Sequence, residues 1–162
     1  GASNLGKKIM GSTTSNLIKD IDTPILVIPN AAKDINFEHL VVALDALDNR
    51  DVSVLEPMID FSKTLNLPIN LLHVSSGSYH TDIDPDIKDY ITQKGMEFTY
   101  DKVQSNDVLD GILAYAGKKS NSLLCLVSRE RNWFESLFSS SISQQIALQS
   151  DIPLLVLHDV AD

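Results

Sequence analysis

One sentence of this chain is written twice. Residues 140–157 read Ser-Ser-Ile-Ser-Gln-Gln-Ile-Ala-Leu-Gln-Ser-Asp-Ile-Pro-Leu-Leu-Val-Leu, and residues 11–28 follow the same plan without a gap. Gly11 falls on Ser140, Ser12 on Ser141, Leu17 on Ile146 and Asp22-Thr23-Pro24 on Asp151-Ile152-Pro153. Ile25-Leu26-Val27-Ile28 then falls on Leu154-Leu155-Val156-Leu157. Each copy is a helical segment, a proline that cannot continue a helix, and a short apolar run of the kind buried strands use. Solenoid repeats recur every ~20–50 residues; this repeat recurs after about one domain length. The expected organisation is therefore a duplicated domain. Residues 1–30 are the last helix and strand of a truncated first copy, 31–36 a linker and 37–162 a complete second copy.

Between the two copies, apolar runs alternate with amphipathic ones. Leu40-Val41-Val42-Ala43-Leu44 is polar on neither side of the pleat and predicts a strand buried on both faces, ending at Asp45. A helix over 51–66 follows, with Pro57 within its first two turns. The run 69–75 predicts the second strand. A polar loop leads to a helix over 86–94, with Gly95 as its stop. The more alternating 96–103 predicts an edge strand. Ser105-Asn106-Asp107 caps a helix ending near Gly117, and 123–128 predicts the fourth strand. Pro24–Pro29 reads as a short buried strand, and 4–21 as the helix before it. Strand–helix alternation of this kind gives a parallel sheet with helices on both faces and right-handed crossovers. Ligands in such sheets bind beyond the carboxyl ends of the strands.

A net charge of −9 with no basic run argues against nucleic acid and anionic membrane as partners. No apolar stretch is long enough to span a bilayer. The single Cys125 cannot form an internal disulfide, which fits a reducing, cytoplasmic setting. Four scattered histidines and one thiol within an apolar run offer no nucleophile–base pair, so the reading leans away from catalysis.

On these residues the chain resembles the universal stress protein family, in its tandem-domain form. The resemblance rests on the duplicated helix–proline–strand ending and on part of that family's glycine motif, G-x-x-G-x9-G-[ST]. Gly1, nine residues, then Gly11-Ser12 match its second half. Asp45 and the Leu72-His73-Val74 strand ending match positions that line the family's nucleotide pocket. The resemblance implies a Rossmann-like α/β fold, a five-stranded parallel open sheet in the order 3-2-1-4-5, with the extra helix and strand pairing at the last strand. It also implies antiparallel pairing of last strands between neighbouring domains, either as a homodimer or as a tandem pseudo-dimer. Pro24–Ile28 and Pro153–Leu157 are the two counterparts within this chain.

The complete copy departs from that motif. The repeat places Val127, Glu130 and Ser140 at the three glycine positions, and only Ser141 keeps the [ST]. Glycine lets backbone amides approach phosphate and tolerates positive φ. An ordinary residue there costs roughly 1–2 kcal/mol, and Glu130 adds a like charge, partly offset by Arg129 and Arg131. The favoured reading is a binding and assembly module whose complete copy, with Asp45, Val74, Ser140 and Ser141 as a vestigial nucleotide site, holds no ATP. The alternative is an ATP-binding switch or slow ATPase using Gly1, Gly11 and Ser12 of the first copy. Gly6–Thr13 imitates a phosphate loop, but Ser12 stands where its lysine must be.

Other candidates take plainer readings. His73 reads as a satisfied core histidine. His80, Asp82, Asp84 and Asp86 lack the glycine and terminal glutamate of a calcium loop and read as a solvated acidic loop. Trp133, Phe134, Leu137 and Phe138 form an apolar stripe ahead of the last helix, either core or a partner-facing patch.

Overall fold

A strand without a polar face must be covered on both sides, and the central apolar runs of this chain are. The computed structural model describes residues 23–29, 32–44, 52–77, 82–128 and 150–158. Six strands form one sheet: β1 (Ile25–Val27), β2 (His39–Leu44), β3 (Ile69–Ser75), β4 (Phe98–Gln104), β5 (Ser122–Ser128) and β6 (Leu154–His158). Their order is β1-β6-β5-β2-β3-β4. From β4 inward, the five parallel strands run in the expected 3-2-1-4-5 arrangement, and β1 adds itself antiparallel to β6.

The crossovers place α1 (Glu56–Leu65) and α2 (Pro85–Gln93) on one face and α3 (Val108–Gly117) on the other. The first face buries Leu40, Val42, Leu71, Cys125 and Leu155 beneath Leu55, Met58, Ile59, Ile87 and Ile91. The second buries Val41, Ala43, Leu72, Leu126 and Val156 beneath Leu109, Ile112 and Ala116. β4 alternates half-buried and exposed residues, as an edge strand should.

Local signals set the boundaries. Pro57 sits at the start of the first helix. A 3-10 turn (Val52–Leu55) precedes it and α1 begins at Glu56, placing the proline in the first turn, where its missing N–H is not needed. The Asp84 carboxylate accepts from Asp86 N at 2.8 Å to cap α2, and Asp107 accepts from Asp110 N at 2.9 Å to cap α3. Gly95 follows α2 with φ +76°, a conformation that favours glycine.

Two tethers fasten helices to their neighbours. The Tyr115 hydroxyl donates to Asp101 on β4. Glu56 on α1 accepts from the Tyr90 hydroxyl and from Lys94 Nζ at 2.9 Å, joining α1 to the end of α2. The Lys94 hydrogen bond, then the Tyr90 one, holds the Glu56 carboxyl below the usual carboxylate range. A lowered carboxyl contributes stability above its unfolded pKa and loses it as pH falls through the folded value. Glu56→Gln is accordingly expected to flatten the fall of the urea midpoint below about pH 4, read by denaturation at a series of pH values. An unchanged slope would dismiss the tether.

The β1–β6 junction pairs Ile25 with Val156, Leu26 with Leu155 and Val27 with Leu154. Leu124 N donates to the Pro153 carbonyl at 2.9 Å. By strand alternation Leu155 also turns its backbone groups toward β5, while Leu154 and Val156 turn theirs toward β1. Ile25 and Val27 therefore form the hydrogen-bonded pairs, and Leu26 faces Leu155 as the non-bonded pair between them. The expectation of a buried strand here is corrected. β1 is the edge of the sheet and Leu26 is 42% exposed, because the cover over Leu155 does not extend over it. The helix expected over 4–21 lies outside the described residues.

Candidate functional site

Ligand chemistry in an open α/β sheet belongs where the strand order reverses. Here that is between β2, which leads to α1, and β5, which pairs beside it in parallel. Of the residues singled out for this crevice, Asp45, Ser140 and Ser141 lie outside the described residues, as do Gly1, Gly11, Ser12 and the Trp133–Phe138 stripe. Two positions are described, Val74 and Val127.

Val74 lies one strand over, and its backbone is the part that faces the crevice. The β3–β2 pairing stops at Ala43↔Leu72, while the β3–β4 pairing continues to Ser75↔Gln104. Ser75 O accepts from Ser105 N at 3.0 Å on the β4 side, so alternation turns the Val74 amide and carbonyl toward β2, beyond the last pair among the described residues. An adjacent donor and acceptor on a rigid strand end match the paired acceptor and donor on the edge of an adenine-type ring. The Val74 side chain points elsewhere. It is 8% exposed, packed beneath α3, where a Cβ on Gly111 would come within 2.8 Å of Val74 Cγ1. Neither the ladder lengths nor the tight helix contact carries any signal in residue type.

Val127 occupies the first glycine position of the motif. It is fully buried within β5, paired to Leu44 on one side and Leu157 on the other. At this position the chain is central sheet and not a turn.

His73 departs from expectation. Among the described residues its buried Nδ1 has no hydrogen-bond partner, so the expected satisfied core histidine is not what they show. Burial, then the Lys102 ammonium on β4, holds it below the usual imidazole range. Lys102 is itself engaged by Asp82 at 2.5 Å. With Asp84 spent on the α2 cap, the acidic loop has structural duties, and among the described residues no three His, Cys, Asp or Glu side chains converge to hold a metal ion. A cavity of about 300 Å³ opens at the opposite, amino edge of the sheet, between the 32–37 connection, the end of α3 and Asp151–Pro153.

Cys125 is fully buried in β5, and burial pushes its thiol up, away from the nucleophilic thiolate. Native protein is expected to leave an Ellman-type reagent uncoloured and to react fully in denaturant. Fast reaction of the native protein would contradict that burial.

No protein-family model matches the sequence, and no curated protein matches it significantly. Solved structures do match. A universal stress protein from Archaeoglobus fulgidus DSM 4304 superposes with a TM-score of 0.67 over 95% of this chain, at 18% identity. The chain has the universal stress protein fold. It spans 56% of the length of that structure's chain. A second universal stress protein from Archaeoglobus fulgidus matches at TM-score 0.51 and 17% identity, covering 74% of this chain and 93% of its own. A third, also from Archaeoglobus fulgidus and solved in complex with dAMP, matches at TM-score 0.50 and 15% identity, covering 75% of this chain and 98% of its own. Among the described residues no helix is long and apolar enough to cross a membrane.

Proposed function

We propose that this chain is a universal stress protein of tandem-domain type, working as a stress-response binding and assembly module whose complete domain, residues 37–162, holds no ATP. Residues 1–30 are then the tail of a preceding domain. The observation that carries the reading is the β1–β6 junction, where a strand and its own repeat meet antiparallel with Leu26 against Leu155. That is a domain-to-domain contact folded into one chain. Against a triphosphate stand Val127, paired within β5 where the motif has a glycine, and Glu130 at the motif's second glycine position. Isothermal titration of the full chain with magnesium and ATP tests this. No saturable heat is the expected result, and a saturable isotherm overturns it.

A second reading keeps a nucleotide. The Val74 amide and carbonyl beyond the last β2 rung favour it, as does the fold neighbour solved with dAMP. In that reading Asp45 and Ser141, or the Gly1/Gly11-Ser12 turn, complete an ATP-binding switch. Titration with adenosine and with AMP beside ATP separates the two readings. A site reduced to its base-reading edge prefers the less charged ligands, and a working phosphate turn prefers ATP.

A further inference from the structure

The cavity of about 300 Å³ lies at the amino edge of the sheet, opposite the crevice beside Val74. Three separate segments wall it: the 32–37 connection, residues 116–122 running from the end of α3 into β5, and Asp151–Pro153 ahead of β6. Ligand pockets run from about 300 to 1,000 Å³, so this one suits a small metabolite and is tight for a nucleotide. The lining is apolar where it is least exposed, with Ala116 and Pro153 buried and Phe37 and Ile152 half-buried. Charges of both signs stand around it. Among the described residues the side chains of Lys33, Asp34 and Asp151 have no ion pair. Other polar groups of the rim are spent. Asn121 Nδ2 donates to Glu38 Oε1 at 2.8 Å, the Ser122 hydroxyl is shared between the Ala116 and Lys119 carbonyls, and the Lys119 ammonium lies 5.4 Å from the Tyr115 ring centroid.

α3 also ends in this wall, with the partial negative charge of a helix C-terminus and no basic residue in its last turn. Two carboxylates and that helix end favour an ammonium group, and Lys33 favours a carboxylate. A simple cation leaves Lys33 unanswered, and a simple anion meets Asp34, Asp151 and the helix end as like charge. We infer that this cavity is a binding site for a small zwitterion, an α-amino acid with a short apolar side chain. Its ammonium is placed toward Asp34, Asp151 and the end of α3, its carboxylate toward Lys33, and its side chain against Ile152 and Pro153. Such a ligand ties the 32–37 connection to the segments that open β5 and β6. The site goes beyond the assembly reading and does not depend on it.

The test is a titration of the full chain with L-leucine, followed through amide shifts in two-dimensional NMR. The expected result is a saturable shift of the Asp34, Asn36, Asn121 and Ile152 amides, with those of Val74 and Ser75 at the other edge unmoved. Two analogues then take the charges apart. Leucinamide keeps the ammonium and 4-methylpentanoate keeps the carboxylate, and each is expected to bind at least about tenfold more weakly. Lys33→Met, and Asp34→Asn together with Asp151→Asn, are each expected to weaken leucine binding about tenfold. These positions are exposed, and asparagine tolerates the φ of +49° at position 34, so the fold is kept. Leucine that fails to saturate those amides at its solubility limit overturns the inference. An analogue that binds the parent as tightly as leucine does, or a variant that binds leucine as the parent does, overturns it as well. ATP titration is independent of these outcomes, so failure here leaves the proposed function standing on its own test.

Discussion

Leu155→Ala is expected to cost about 2–5 kcal/mol, the range for emptying a buried leucine site, and Leu26→Ala about 1 kcal/mol or less. The two leucines are equivalent in the repeat and face one another across the junction, so chemistry and strand position are matched. What differs is cover. Leu155 is 1% exposed within the core beneath α1, α2 and the 3-10 turn, whereas Leu26 is 42% exposed at the sheet edge. Deleting three carbons opens a cavity at the first and only trims surface at the second. Urea midpoints of the two variants, at equal slope, measure the contrast. Equal losses would mean that β1 is as deeply built into the core as β6, contrary to its position here.

Gly111→Ala is expected to destabilise the chain by about 2 kcal/mol, although alanine is the better helix former by about 1 kcal/mol. The opposing effect is steric. A Cβ at this position would meet Ser105 Cβ and Val74 Cγ1, each at 2.8 Å. Neither can retreat cheaply: Ser105 is pinned by its amide to Ser75 O at 3.0 Å and by its hydroxyl to Asp107 O at 2.6 Å, and Val74 is a β-branched residue held in the sheet. Overpacking a well-filled site costs about 1–3 kcal/mol, and with both neighbours pinned the upper end applies. Gly117→Ala is the control. Nothing lies within 4 Å of its Cβ direction, so helix propensity acts alone and the change is neutral or gains up to about 1 kcal/mol. If Gly111→Ala behaved like Gly117→Ala in thermal or urea unfolding, α3 would not be seated on Val74 as described.

The parts of the fold that sequence made legible are those where one residue type has one physical use. Leu40–Leu44 lacks a polar face and becomes a central strand; Asp107 and Gly95 mark helix ends through a side-chain cap and a positive φ. The family resemblance implied which strand would lie beside β6, and the duplication identified its counterpart in this chain. What stayed hidden depends on relations between segments. The exposure of Leu26 reflects how far the helical cover reaches, and the orphaned His73 Nδ1 reflects what packs around it. The crevice-facing backbone of Val74 arises from β3 being paired, among the described residues, three residues further on one side than on the other, which no residue identity encodes. Of the candidate site, only Val74 and the repeat-derived Val127 can be placed. Asp45, Ser140, Ser141, Gly1, Gly11 and Ser12 fall outside the described residues.

Residue-resolved amide exchange at β1 bears most directly on the idea that this chain pairs a strand with its own repeat. Ile25 and Val27 present their amides to Val156 and Leu154, while the Leu26 amide points to the open edge and serves as an internal reference. Slow exchange at Ile25 and Val27 beside fast exchange at Leu26 is the predicted pattern. Uniformly fast exchange through all three would contradict it.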